Sequence, residues 1–65
     1  MAFEKTTIIG TSTESFTAAA DDAIERATER FSDVMWAETS LRGVELASTD
    51  EPEYQVEATI AYRVD

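Results

Sequence analysis

Hydrophobic and polar positions alternate with period two at both ends of the chain, and a helical period lies between them. Residues 3–9 are rich in threonine and isoleucine and end at Gly10, which is typical of a β-strand. The last segment has the clearest alternation, because every second residue from Tyr54 to Val64 is apolar. Its apolar positions are Tyr54, Val56, Ala58, Ile60, Tyr62 and Val64. This pattern predicts a strand with one buried face.

From about residue 15 to residue 31 the apolar positions recur every three or four residues, which predicts an amphipathic helix. Its apolar stripe consists of Phe16, Ala20, Ala23, Ile24, Ala27 and Phe31. Because several of these are alanine, we expect the helix to lie close to the layer it covers. Two residues are candidates for the N-cap of this helix. One is Thr11, which has Glu14 three residues later in a capping-box pattern, and the other is Ser12.

A second strand is predicted from Val34, after a turn at residues 32–33. Met35, Ala37, Thr39 and Leu41 form its apolar face, and Trp36, Glu38, Ser40 and Arg42 form the other. Beyond Gly43 the apolar positions change parity, which predicts a β-bulge at residues 42–43. The composition of residues 48–53 is that of a turn.

The predicted order is therefore β-α-β-β within one domain, residues 1–65. The fold class is α+β: a three-stranded antiparallel sheet, with the two long strands joined as a hairpin, packed on one helix. Such a unit leaves the second sheet face and two strand edges open, and open edges favour pairing between copies. A chain of 65 residues is also marginally stable alone. We therefore expect an oligomer.

The net charge of the chain limits the kinds of partner that it can bind. The chain has 14 Asp and Glu against 5 Lys and Arg, a formal net charge of −9. Such an excess of acid disfavours binding to nucleic acid and to anionic membranes. It favours a saline cell interior, where salt screens the repulsion; the alternative is an acidic, highly soluble protein.

The chain contains no cysteine and no histidine, which excludes disulfides, thiolate metal sites and the commonest general base. No phosphate-binding loop or metal-ligand spacing is present, so an enzyme is not expected. No stretch reaches the ~18 apolar residues of a membrane span, and the first residues do not resemble a signal peptide. We expect a cytoplasmic protein.

Trp36 and Gln55 are the residues of the polar face that are best suited to bind a ligand. A tryptophan there is either a contact between subunits or a stacking surface for a flat ligand. Gln55 lies on the same predicted face, and one amide can both donate to and accept from a planar heterocycle. Its alternative is a solvated glutamine on a strand. From the residues alone these alternatives stay open.

The chain closely resembles the dodecins, small flavin-binding proteins of bacteria and archaea, over nearly its full length. The matching pieces are GTSTESFTAAADDAIERA at residues 10–27, WAE at 36–38, Gly43, and YQVE at 54–57. The resemblance implies a hollow homododecamer built from trimers, with non-covalently bound flavins stacked in pairs between tryptophans at subunit contacts. Trp36 would lie against the isoalloxazine ring, and Gln55 would bind its polar edge. The implied role is flavin storage, sequestration and photoprotection.

The resemblance leaves the flavin undecided between riboflavin and FMN. Leu41 stands where riboflavin-binding halophilic dodecins tend to carry an acidic residue, and Arg63 matches an arginine that reaches the FMN phosphate in bacterial dodecins. The spacing from Trp36 to Gly43 resembles the archaeal one. Arg42 and Glu45 are further candidates for the pocket lining. The alternative function is a structural or ion-binding oligomeric shell that binds flavin incidentally.

Overall fold

A computed structural model describes residues 2–46 and 50–64, and its elements follow the predicted order. They are β1 (Phe3–Ser12), α1 (Phe16–Arg30), β2 (Val34–Glu45) and β3 (Glu53–Arg63). The strands form one antiparallel sheet in the order β1-β3-β2. The predicted α+β fold is confirmed, with β2 and β3 paired as a hairpin. Of the predicted turn at 48–53, Ser48 and Thr49 lie outside the described residues.

The core lies between α1 and one face of the sheet. Its buried residues are Ile8, Ala19, Ala23, Ala27, Val56, Ala58 and Ile60. The β3 members of this set alternate along the strand, as the sequence pattern predicts. The central strand therefore contributes most of the sheet side of the core, because it is covered by α1 and has neighbours on both sides.

Gly10 allows α1 to approach the sheet closely. A Cβ at this position would lie 2.5 Å from the backbone nitrogen of Ala23, and closer still to the carbonyl oxygen of Ala19. Backbone atoms cannot move aside as a flexible side chain can. The small residues of the helix stripe and the missing side chain at Gly10 thus act together to set the distance between the two layers.

The predicted helix boundaries hold within one residue, but both predicted N-caps are wrong. Ser15 is the N-cap, and its Oγ accepts a hydrogen bond from the backbone N–H of Ala18 at 3.0 Å. The reason is that β1 continues to Ser12, where Thr11 pairs with Gln55 in the sheet. The centre of the apolar stripe also differs from the prediction, since Ala19 is buried and Ile24 is exposed.

The predicted bulge at residues 42–43 is wrong in position. Gly43 pairs regularly with Gln55, and the irregularities of β2 fall at Met35 and Ser40, which have no partner in the register. The change of parity therefore occurs two to three residues earlier than predicted. As a result Arg42 lies opposite the buried Val56, on the helix side of the sheet, and the prediction that it shares a face with Trp36 is wrong.

Asp22 joins the helix to the end of β1. Its Oδ2 accepts hydrogen bonds from the backbone N–H of Thr11 at 2.9 Å and from Nε of Arg26 at 3.1 Å. The Thr11 bond is the main cause that lowers the pKa of Asp22; Arg26 lowers this pKa further, and partial burial opposes both. This carboxylate holds together two elements that are separated along the chain by a loop.

At the opposite end of the helix, the ring of Phe31 stacks on that of Tyr62, with ring centroids 3.9 Å apart. Arg30 places its guanidinium over Phe31, 5.3 Å from the ring centroid. The pair closes the core where the helix ends. Across residues 2–46 and 50–64, the helix is not long and apolar enough to cross a membrane.

Candidate functional site

The candidate site lies on the sheet face opposite α1, which we call the outer face. In an antiparallel sheet, residues paired across strands lie on the same face, so the register defines its members. They are Phe3, Lys5, Thr7, Ile9 and Thr11 of β1, Trp36, Glu38, Gly43 and Glu45 of β2, and Glu53, Gln55, Glu57, Thr59, Ala61 and Arg63 of β3. The predicted placement of Trp36 and Gln55 on one face is confirmed.

Trp36 presents its indole to solvent on this face. It pairs with Ala61, whose small side chain does not cover the ring, and 60% of its surface is exposed. The adjacent bulge residue, Met35, is half exposed as well. A large exposed ring beside a small residue offers a flat apolar surface on which another ring can stack.

Gln55 lies at the centre of the other half of the outer face, between Thr11 and Gly43. Its side chain is half-buried, and Nε2 donates a hydrogen bond to Oε1 of Glu53 at 3.0 Å. This contact fixes the amide while leaving its carbonyl oxygen and its second N–H for a ligand.

A cavity of about 210 Å³ opens in front of Gln55. It is lined by Ile9, Arg42, Gly43, Gln55 and Glu57. A Cβ on Gly43 would meet no atom within 4 Å, so this glycine leaves the approach to the amide open. The opening combines an exposed isoleucine with an amide and a carboxylate, which suits a ligand with one apolar face and one polar edge.

Trp36 and Gln55 share a face but are not neighbours. Trp36 lies opposite Ala61, six residues beyond Gln55 on β3, which corresponds to about 20 Å along a strand. This separation exceeds the reach of a three-ring heterocycle stacked on the indole. Each chain therefore carries these two candidate residues at opposite ends of the outer face.

The three second-tier candidates lie in different places. Arg63 is on the outer face, two residues beyond Ala61, and its Nε is buried without a hydrogen-bond partner among the described residues. Arg42 borders the cavity, but its guanidinium lies over Phe16, 5.2 Å from the ring centroid. Glu45 lies opposite Glu53 at the Gln55 end. The side chain of Leu41 lies outside the described part of the chain.

Sequence reasoning missed Ile9 as a residue of this face. The signal was available, because Ile8 and Ile9 are consecutive and a strand must send adjacent side chains to opposite faces. Ile8 is buried in the core and Ile9 is 52% exposed. An exposed isoleucine beside Gln55 adds apolar surface to that end of the outer face.

Two further observations concern ligands other than a flat ring. A groove of about 440 Å³ lies on the helix side between α1 and β2, with Phe16 and Arg42 in its walls. Within the described ranges, no three carboxylates lie close enough together to hold a metal ion.

The fold and the outer face define a class: a small α+β module with one open sheet face that carries the candidate residues at its two ends. The family model described as Dodecin matches residues 3–65, and the chain belongs to the dodecin family. Dodecins are small binding proteins that form oligomers, and the family in general binds flavins. No curated protein matches the sequence.

Solved structures agree with this assignment. The dodecin of Streptomyces davaonensis is 26% identical, with a TM-score of 0.87 over 98% of this chain and 94% of that one. A Thermus thermophilus protein is also 26% identical, with a TM-score of 0.85 and the same coverage. A calcium dodecin from Mycobacterium tuberculosis is 23% identical, with a TM-score of 0.88 over 100% of this chain and 93% of that one, and shows the shared fold alone.

Proposed function

We propose that this protein binds flavin non-covalently as a hollow homododecamer built from trimers, and that it stores, sequesters and photoprotects the flavin. The observation that carries the proposal is the Trp36 indole, 60% exposed on an open sheet face that also holds Gln55. Membership of the dodecin family supports the ligand class. The role is binding rather than turnover.

The Trp36 indole would stack on the isoalloxazine ring. Stacking of a flat heterocycle on an aromatic side chain contributes roughly 1–3 kcal/mol. An indole is electron-rich, so an excited flavin in contact with it is quenched rapidly and has less time for photochemistry. Tryptophans of two copies would enclose a pair of flavins, because one open indole face can cover only one side of a stack.

Gln55 would bind the polar edge of the ring. The imide edge of a flavin presents a donor beside acceptors, and a carboxamide complements that pattern with one acceptor and one donor. The contact with Glu53 holds the amide in place before binding, so less side-chain freedom is lost on binding. Since Gln55 and Trp36 are too far apart in one chain, the site would combine them from different copies.

Some residues of the outer face would favour FMN over riboflavin, and others would disfavour it. Arg63 is suited to hold a phosphate, because its guanidinium is planar and always charged, and its Nε has no partner in the described chain. Glu45 and Glu57 at the Gln55 end repel a phosphate, and Arg42 is engaged with Phe16. We keep both flavins as candidate ligands in a salt-adapted cytoplasm.

The test is a titration of the flavin-free protein into riboflavin and into FMN, in molar salt, followed by flavin fluorescence. We expect quenching at micromolar protein for at least one flavin. Trp36→Ala should weaken binding and quenching together, whereas Trp36→Phe should retain more of the binding than of the quenching. Ile24→Ala is the matched control, since Ile24 is an exposed apolar residue on the helix.

An ion-binding shell is the second candidate function. Glu45 lies opposite Glu53 on the outer face, and together with the net charge of −9 this pair would attract divalent cations when copies meet. This function predicts an assembly that requires Mg²⁺ or Ca²⁺ and is indifferent to flavin. Assembly measured in a chelator, with and without riboflavin, separates the two functions.

A further inference from the structure

Of the two residues that flank Gln55 across the sheet, only one has a side chain. In the register, Gly43 of β2 lies on one side of Gln55 and Thr11 of β1 on the other. Because Gly43 has no side chain, nothing at that position limits the movement of the amide towards β2. The position of the amide therefore depends on Thr11, together with the hydrogen bond to Glu53 along its own strand.

Thr11 lies near the end of an edge strand, where the sheet holds it weakly. In the sheet order β1-β3-β2 of the described chain, β1 is at the edge, and it ends one residue later, at Ser12. An edge strand turns every second N–H away from its partner strand. The N–H of Thr11 donates outside the sheet, to Oδ2 of Asp22 on α1, at 2.9 Å. The helix therefore supplies an acceptor that the sheet does not.

Asp22 is itself held in place. Nε of Arg26, one helical turn later, donates to the same Oδ2 at 3.1 Å. The Thr11 N–H is the main cause that lowers the pKa of Asp22, so at neutral pH it bonds to an ionised carboxylate, and hydrogen bonds to charged acceptors are the stronger ones. One residue before Thr11, Gly10 lies against the backbone of α1. The end of β1 is thus attached to the helix at two consecutive residues.

We propose that Asp22 is a positioning residue for the amide of Gln55: by holding Thr11, it fixes the strand position beside that side chain. Ile9, two residues before Thr11 on the same face, lines the cavity in front of Gln55, so the end of β1 also forms a wall of the cavity. Asp22 acts from the helix through the backbone of β1. The effect on flavin rests on the proposed function, whereas the position of the amide can be measured without a ligand.

The first experiment observes the Gln55 amide in the flavin-free protein by nuclear magnetic resonance. Gln55 is the only glutamine of the chain, which has no asparagine, so a nitrogen-labelled sample shows a single side-chain carboxamide. Asp22→Ala should shift this signal and speed its exchange with water, because the neighbouring strand end is released. Asp21→Ala is the matched control, since it removes the same charge from the adjacent, exposed helix residue, and it should leave the signal in place.

A carboxamide signal that Asp22→Ala leaves unchanged would overturn the positioning role, as would an equal shift with Asp21→Ala. Circular dichroism checks that each variant keeps its helix. If the parent binds no flavin while its carboxamide responds to Asp22→Ala alone, the proposed function fails and the positioning of Gln55 by Asp22 stands.

The second experiment is a double-mutant cycle on riboflavin affinity in molar salt. Asp22→Ala should lower the affinity about fivefold, as expected for the loss of one hydrogen bond. In the Gln55→Ala background the same change should cost nothing further, because the group through which Asp22 acts is absent. Quenching of the flavin that still binds should be unchanged, since it depends on Trp36.

Asp22→Asn is the conservative variant for the same measurement. Its amide oxygen can still accept the Thr11 N–H, so riboflavin affinity should stay within about twofold of the parent. An equal loss of affinity from Asp22→Ala in the parent and in the Gln55→Ala background would show that Asp22 acts on the stability of the fold and not through Gln55, which would overturn the proposal.

Discussion

The same three strands form both faces of the sheet, but one face is buried under the helix and the other is exposed. On the helix side, Gly10 and three buried alanines let α1 lie against β1 and β3. On the outer face, Trp36 and Ile9 are more than half exposed, and Nε of Arg63 has no hydrogen-bond partner in the described chain. The difference shows that a single chain covers one face of the sheet and leaves the other open.

The limited size of the core explains why the second face matters. Only Ile60 and Val56 are large side chains that are fully buried among the described residues. Since apolar burial supplies most of the stability of a small domain, such a core is a weak basis for an isolated chain. Covering the outer face in an assembly would bury Trp36, Ile9 and Phe3, which are exposed in the single chain.

Gly10→Ala should have the largest effect on the side of the sheet that α1 covers. The new methyl group would collide with backbone atoms of Ala19 and Ala23, so the helix must move away from the sheet. We expect a loss of about 3 kcal/mol or more in the free energy of unfolding, measured by thermal and urea unfolding followed by circular dichroism.

Gly43→Ala is the matched control for that change. Gly43 is the chain's other glycine, it lies on the outer face, and a Cβ there meets nothing within 4 Å. We expect its free energy of unfolding to stay within about 0.5 kcal/mol of the parent. Equal destabilisation by the two substitutions would contradict the account of close helix approach at Gly10.

The corresponding change on the open face is Trp36→Ala. Because the indole is largely exposed, the helix content of the chain should be retained, while flavin affinity falls roughly tenfold to a hundredfold through the loss of stacking. Equilibrium titration by fluorescence measures the affinity, and circular dichroism measures the fold. Unchanged affinity would remove Trp36 from the site.

Asp22→Asn tests how the stability of the helix-covered side depends on pH. The pKa of Asp22 is lowered in the folded chain, chiefly by the Thr11 N–H, so the ionised carboxylate stabilises the fold above its ordinary pKa. This contribution is lost as pH falls through the folded pKa. We expect Asp22→Asn to cost about 1 kcal/mol at neutral pH, with the difference from the parent shrinking below pH ~4.

Urea unfolding between neutral and acidic pH measures that difference. Asp21→Asn serves as the control, because the neighbouring carboxylate makes no bond to β1 in the described chain. A difference that stays constant across the pH range would show that the ionised carboxylate of Asp22 is not the source of the stability.

The smallest expected effect is that of Arg63→Ala on ligand choice. If Arg63 holds a phosphate, the substitution should lower FMN affinity about two- to fivefold, since an exposed pair of charges contributes up to about 1 kcal/mol. Riboflavin affinity should be unchanged. The ratio of the two dissociation constants, measured in the same buffer, is the readout; equal losses for both flavins would remove Arg63 from phosphate binding.

Periodicity sufficed to predict the elements of the fold and the face of Trp36. Alternation along β3 is uninterrupted, so its buried residues follow directly from the sequence. The prediction for β2 failed beyond Thr39, because a bulge depends on how two strands pair and glycine marked the wrong position for it. The prediction of the N-cap was wrong for a similar reason, because β1 extends past Gly10 through its pairing with β3.

The distance between Trp36 and Gln55 could not be predicted from the sequence. Parity places Trp36 and Gln55 on one face, but only the register shows that Ala61, and not a residue near Gln55, lies opposite Trp36. The contact between Gly10 and the helix was hidden for the same reason, since it depends on the distance between two layers. Local patterns predict which way a residue points, whereas pairing decides which residues meet.

The most direct test of the central claim is the absorbance spectrum of the protein as purified from its own cells, with mass spectrometry of the released ligand. We predict a yellow protein that releases riboflavin or FMN, with about one flavin per chain at saturation. A colourless protein that also fails to retain riboflavin and FMN through gel filtration in molar salt would contradict the claim that the outer face is a flavin site.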